Sequence, residues 1–254
     1  MIYWDKEKKN LAKNLAGGYL STAESKIAPL LVSGSWVGWL MKQLKSMLPS
    51  RFNYEFLENM PENEAVEMIY KYSRYFEVSV TEETVYLIAK MGEGSPFYTR
   101  SIMNSRYREK DLTTVEGLLD TLEFETLDRR GNIKATWMEY ISSAFKQVNG
   151  KYSKNIVLYL CRHRDREVTR TELLRELALE MDDTQLEEKL EALVKGDIIN
   201  QGASSFRYSG VSDNIFDKVY RGVYEEEIRE FDVKVIKKEY RQEFEKMEKQ
   251  YNLS

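Results

Sequence analysis

The sequence predicts a mainly α-helical protein of the α+β class, with many short helices, one buried strand near the N-terminus and one small hairpin late in the chain. Three observations lead there. Apolar residues recur at three- and four-residue spacing through most of the 254 residues. Pro49, Pro61, Gly92, Gly94, Pro96 and Gly196 fall where those periodic stretches begin or end. Only residues 28–32 and 198–209 carry short runs that read as strands.

Taken in order, residues 5–15 are polar and helix-prone, closed by Gly17 and Gly18. A second helix is expected from Ser21, where Ser21 and Glu24 make a softened capping box. Residues 28–32 form a short apolar run that Pro29 keeps out of a helix, so it reads as a buried strand. Beyond Ser35, Trp36, Val37, Leu40, Met41, Leu44, Met47 and Leu48 trace an amphipathic helix that stops before Pro49. From Tyr54 to Val148 the pattern is a bundle of short helices. One has Pro61 just after its start and a stripe through Ala65, Met68, Ile69, Tyr72 and Phe76; the next is capped by Thr81 and stopped by Gly92 and Gly94. Another restarts at Pro96, and TVEGLLDTLEFETL and IKATWMEYISSAFKQV complete the set.

The following sixty residues read as three helices and a hairpin. KYSKNIVLYLCRHR is the first helix, VTRTELLRELALEM the second, opened by Thr169 or Thr171, and DTQLEEKLEALVKG the third, opened by Asp183 or Thr184 and closed by Gly196. Two strand-like pieces flank the turn at Gly202. That order is the winged-helix arrangement. Such a unit reads DNA through its third helix, which must tolerate phosphates against it. Here residues 166–197 carry five cationic side chains against ten anionic ones, with Glu187, Glu188 and Glu191 on the third helix itself. A protein-contact role is therefore favoured over DNA reading. Arg162, Arg164, Arg166 and Arg207 could still make a small basic rim, or simply a solvated helix end. The last forty residues look helical and heavily charged, without a core face, and read as a tail or linker.

Composition narrows the function classes. Charged residues make up 31% with both signs interleaved and a net charge of −4, so there is no global positive field for nucleic acid or an anionic membrane. No apolar run approaches the roughly 18 residues of a membrane span, and MIYWDKEKK lacks a signal-peptide core, which predicts a cytoplasmic protein without a membrane partner. A single cysteine and a single histidine exclude an internal disulfide and a cysteine zinc cluster. Cys161 and His163 stand two apart, on different faces of a helix, so the expectation is a buried thiol and a solvent-facing imidazole rather than a catalytic dyad. Acidic pairs such as Glu82-Glu83 and the run Glu225 to Glu227 read as solvated faces or acidic first turns.

The strand at 28–32 ends in Ser33, Gly34 and Ser35 and feeds a helix N-terminus. This is the geometry of an α/β ligand crevice, where free N–H groups suit a phosphate; it is also that of a core strand followed by an ordinary Ser35 cap. The stretch LLVSGSWVGWLMKQL, then Pro49-Ser50-Arg51, the MPENEAVEMI helix, the GEGSPFY turn and the winged helix together resemble the C-terminal half of AAA+-like P-loop ATPases of the STAND and archaeal-ATPase type, over roughly residues 25–210. The resemblance implies that Ser33, Gly34 and Ser35 form the sensor strand beside the terminal phosphate of ATP. It implies that Arg51 is the arginine that follows the sensor helix, and that Gly94-Ser95-Pro96 is the turn whose proline packs by the adenine. Read without it, Gly94 to Pro96 is a plain helix-to-helix turn.

Carried across the chain, the resemblance divides it into a remnant of the α/β ATPase core at 1–53, a helical lid at 54–148, a winged-helix domain at 149–212 and a charged helical tail at 213–254. The departure is large. No phosphate loop of the form G-x-x-x-x-G-K-[ST] occurs, and MIYWD is followed by Lys6 where a Walker B strand needs a second carboxylate. The expectation is therefore the C-terminal portion of an ATP-dependent switch, with ATP or ADP and Mg held only in the complete protein and none bound tightly here. Its partner would be the missing N-terminal ATPase half or other protein domains. The alternatives are a winged-helix DNA-binding regulator with a helical sensing or dimerisation domain, and a structural adaptor without a ligand.

Overall fold

The computed structural model describes residues 58–147, 152–228 and 233–253. The expected strand at 28–32, the helix at 36–48, and Ser33, Gly34, Ser35 and Arg51 lie outside the described residues. Within them the protein is mainly helical with one small antiparallel sheet, the α+β class expected.

The first unit packs α1 (Glu62–Phe76), α2 (Glu82–Met91), α3 (Pro96–Met103), α4 (Val115–Leu127) and α5 (Asn132–Gln147). Pro61 stands at the N-cap of α1, one position ahead of the helix. Thr81 caps α2 in a box closed by Thr84 rather than by a glutamate, and Thr84 Oγ1 also donates to the Leu112 carbonyl at 2.7 Å, which ties the helix to the loop before α4. Glu125, buried in α4, holds the start of α5: its carboxylate accepts from the backbone N–H of Asn132 at 2.8 Å and from Ser105 Oγ at 2.6 Å. Ala65, Ile69, Ile88, Ile102, Met103 and Leu122 make the centre of this first core.

The second unit runs α6 (Ser153–Arg162), β1 (Val168–Thr169), α7 (Arg170–Glu176), α8 (Asp183–Lys195), β2 (Ile199–Gln201) and β3 (Arg207–Gly210). The strands lie in the order β1-β3-β2, all antiparallel, with Val168 opposite Tyr208 and Ile199 opposite Gly210. Ile156, Leu160, Leu173, Leu186, Leu190 and Ile199 fill the second core. Two expected boundaries are corrected here. Asp182, with Gln185 in a capping box, opens α8, in place of Asp183 or Thr184. And α7 stops at Glu176, five residues short of Met181, because Ala178 turns left-handed at φ 45° while Leu179 N–H returns to the Leu174 carbonyl.

The largest difference concerns the C-terminus. There α9 (Asn214–Ile228) and α10 (Val233–Tyr251) are not a tail. On α10, Ile236, Tyr240 and Phe244 recur every four residues, all are buried in the first core, and Met247 packs beside them. The apolar stripe was hidden by the lysines and glutamates between its members. Helix α9 serves both cores: Ile215 and Val219 belong to the first, Phe216, Tyr220 and Tyr224 to the second. Trp137 of α5 touches both and meets Phe216 edge-on at 4.6 Å.

Candidate functional site

Gly94 and Pro96 are the two sequence-derived site residues among those described, and one turn brings them together. Gly94 has φ +72°, and a Cβ there would stand 2.1 Å from the Met60 carbonyl oxygen. No other residue type fits without moving backbone. Its carbonyl accepts from Met60 N–H at 3.0 Å, and Ser95 N–H closes the turn on the Gly92 carbonyl at 2.7 Å. The turn is thus pinned to the start of α1. Pro96 follows as the first residue of α3, where its missing N–H costs nothing, and it is exposed.

Two residues further along α3, Tyr98 faces the junction of the two cores. The buried Tyr98 hydroxyl donates to Asp213 Oδ2 at 2.5 Å and accepts from Trp137 Nε1 at 2.9 Å. Burial, then the neighbouring Asp213 charge, pushes the phenol far above its ordinary pKa, so it stays a neutral donor. The other oxygen of Asp213 caps α9 by accepting from Phe216 N–H at 2.8 Å. Beside it, Asn214 Oδ1 accepts from Arg164 at 2.6 Å and from Lys218 at 2.7 Å, and Lys218 reaches Glu243 of α10 at 2.8 Å. Lys218 is only 1% exposed. A second pairing lies one turn on, where Arg221 bridges Asp217 and Glu239. Glu93, left-handed at φ 48° in the turn, is solvent-exposed, yet the groups crowding its carboxyl raise its pKa, burial first and the Asp213 charge second.

Cys161 and His163 are both engaged away from any reactive pairing. The Cys161 thiol is buried, and burial followed by the Asp217 charge raises its pKa well above the ordinary value, which keeps it protonated and inert. His163 is half-buried, where a solvent-facing side chain was expected; it stacks on Tyr159 at 4.2 Å, and its Nδ1 lies 2.8 Å from the Tyr159 carbonyl. Among the described residues no group of three or more His, Cys, Asp or Glu could hold a metal ion.

On α8, Asp183, Glu188 and Glu191 face solvent. In the expected basic rim, Arg166 forks onto Glu172, Arg164 is held as above, and Arg207 faces Glu167 at 3.9 Å. Arg170 is similarly held by Glu187 at 2.7 Å. The depression between α8 and the hairpin, about 150 Å³, is lined by Glu187, Glu191 and Lys195 with Tyr208 at its floor. A phosphate backbone would meet carboxylates there.

The arrangement holds no nucleophile–base pair among the described residues and no open metal site; what it offers is a rigid turn wired to a shared helix. Against known proteins there is no match, either to a family model or to a curated protein. Sequence reasoning missed Asp213, Trp137, Lys218 and Asp217. Asp213 had a readable signal, an Asp directly before an amphipathic helix. The burial of Lys218 had none, since its i+4 neighbours in sequence do not include Glu243.

Proposed function

We propose that the protein is the lid and relay portion of a STAND/AAA+-like ATP-binding switch. The single observation that carries this reading is the 92–96 turn: a left-handed Gly94 fixed against Met60 presents Pro96, exposed, at the start of α3. A proline held this way offers a flat apolar face at a fixed height, which suits a purine ring. The turn fits the base end of a nucleotide and not its phosphates, because the nearby cations Arg164 and Lys218 are already engaged by Ser212, Asn214 and Glu243. The phosphates and Mg would be held mainly by a phosphate loop outside these residues. Ser33 or Ser35 would report on the terminal phosphate and Arg51 would offset its charge.

In this reading the helix–strand–helix–helix–hairpin unit is a winged helix that contacts protein. The acidic outer face of α8 supports a protein partner over a duplex. The bound nucleotide supplies the difference in free energy between two lid positions, and the chain's own residues carry that difference to the second unit. Among the described residues no helix is long and apolar enough to cross a membrane. The proposal places the protein in the cytoplasm.

Titration with a fluorescent ATP analogue tests it. Binding is expected when these residues are joined to the phosphate-loop half and not with the 254-residue chain alone, and Pro96→Glu should weaken it at least tenfold by placing a charge against the base. Equal binding with and without that half would overturn the reading, as would duplex DNA binding by the chain that falls steeply with salt.

A further inference from the structure

Residues 212–214 lead from the hairpin into α9, and they are held from three sides. Arg164, just past α6, donates to the Ser212 carbonyl and to Asn214 Oδ1. Tyr98 of α3 donates to Asp213 Oδ2, and Trp137 of α5 donates to the same Tyr98 hydroxyl. Glu243 of α10 accepts from Asn214 Nδ2 at 2.8 Å. Two residues earlier the chain leaves β3, the central strand of the sheet. The first unit, the second unit and the last helix therefore meet on three consecutive residues.

Asp213 is the member that cannot be replaced by another capping residue. Its two oxygens do two tasks, one closing the N-terminus of α9 and the other holding Tyr98. The bond between the buried Tyr98 hydroxyl and the half-buried Asp213 carboxylate is charge-assisted and short at 2.5 Å, so a displacement of one partner is felt by the other. Tyr98 stands two residues beyond Pro96, and any tilt of the 92–96 turn moves its hydroxyl.

We infer that Tyr98, Trp137 and Asp213 form a joint through which movement of the 92–96 turn and α3 is passed to β3 and the hairpin. The joint names residues for the relay proposed above and rests on that reading for its purpose, but its mechanical coupling exists without nucleotide and is tested without it. Hydrogen–deuterium exchange on the 254-residue chain decides. Asp213→Ser keeps the helix cap but is too short to reach Tyr98, and Tyr98→Phe keeps the ring and removes only the hydroxyl.

Each variant is expected to raise exchange at residues 199–210 at least fivefold while residues 62–91 stay within twofold. The double variant should do no more than either single one. Trp137 emission should shift in Tyr98→Phe, where the indole loses its acceptor. A uniform rise along the chain would show a merely structural bond, and a rise confined to 96–103 and 213–216 would show no transmission; either overturns the joint. If Asp213→Ser does not fold, Tyr98→Phe alone decides by the same criteria. A joint that passes while nucleotide leaves the complete protein unchanged would remove the relay reading and keep the coupling.

Discussion

Two neighbouring residues show how much a single position in the turn can carry. Gly94→Ala forces an L side chain into φ +72° and a Cβ into the Met60 carbonyl. The left-handed backbone alone costs about 1–2 kcal/mol, and the clash adds to it. Thermal unfolding should therefore show a clear drop in Tm for Gly94→Ala; an unchanged Tm would mean that the turn is free to move. Glu93 acts through charge. Its carboxyl is held above the ordinary 4.5, so the folded state binds its proton more tightly than the unfolded state does. Its stabilising contribution is complete below that ordinary value and is lost as pH rises through the raised folded one. At neutral pH the ionised side chain faces Asp213 with only partial offset from Arg164 and Lys218. Glu93→Gln should raise Tm at pH 7 and flatten the dependence of Tm on pH across the acid range, as read by calorimetry at several pH values.

At the scale of elements, helix ends decide what the sequence could and could not reveal. The starts were legible because Thr81 and Thr169 advertise their caps and Pro96 sits where proline belongs. Stops were legible where glycine stands at the end, as at Gly92 and Gly196, and not where Glu77 and Ala178 take the left-handed positions that glycine usually marks. Gly196 closes α8 as expected, standing at its C-cap with φ −88°, and Asp197 makes the left-handed turn just after it, with Ile198 N–H returning to the Leu193 carbonyl. Ala178 at φ 45° is exposed, so Ala178→Gly should relieve backbone strain by about 1 kcal/mol, part of which is given back as chain entropy in the unfolded state. Chemical denaturation should show a higher midpoint with an unchanged slope. Helix α10 was expected as a helix, but its buried face did not announce itself: four-residue spacing of Ile236, Tyr240 and Phe244 is a single narrow stripe in a strongly charged segment, and average composition outweighs it.

Across the whole molecule, α9 is the wall that both cores share, and its polar face is as buried as its apolar ones. Lys218 is fixed between Asn214, Glu243 and the ring of Tyr240, whose centroid lies 5.0 Å from the ammonium. Removing one partner of such a pair leaves an uncompensated charge, so Lys218→Met should destabilise by on the order of 3 kcal/mol, and adding Glu243→Leu should recover most of that. A denaturation series on the single and double variants reads both effects. The fold class and the order of helices were legible in local spacing. The candidate turn was legible too, since Gly and Pro name their own conformations. The junction was not, because Tyr98 and Asp213 lie 115 residues apart and nothing in either neighbourhood points to the other.

The central claim is that a nucleotide bound at the 92–96 turn is felt at the hairpin. Exchange mapped along the chain joined to the phosphate-loop half that the proposed function calls for, with and without ATP and Mg, tests it most directly. The account predicts that amides at 92–98 and at 199–210 change together on adding nucleotide, and that Tyr98→Phe leaves the first change in place while abolishing the second. A change confined to 92–98 in the unaltered protein, or none at either place, would contradict it.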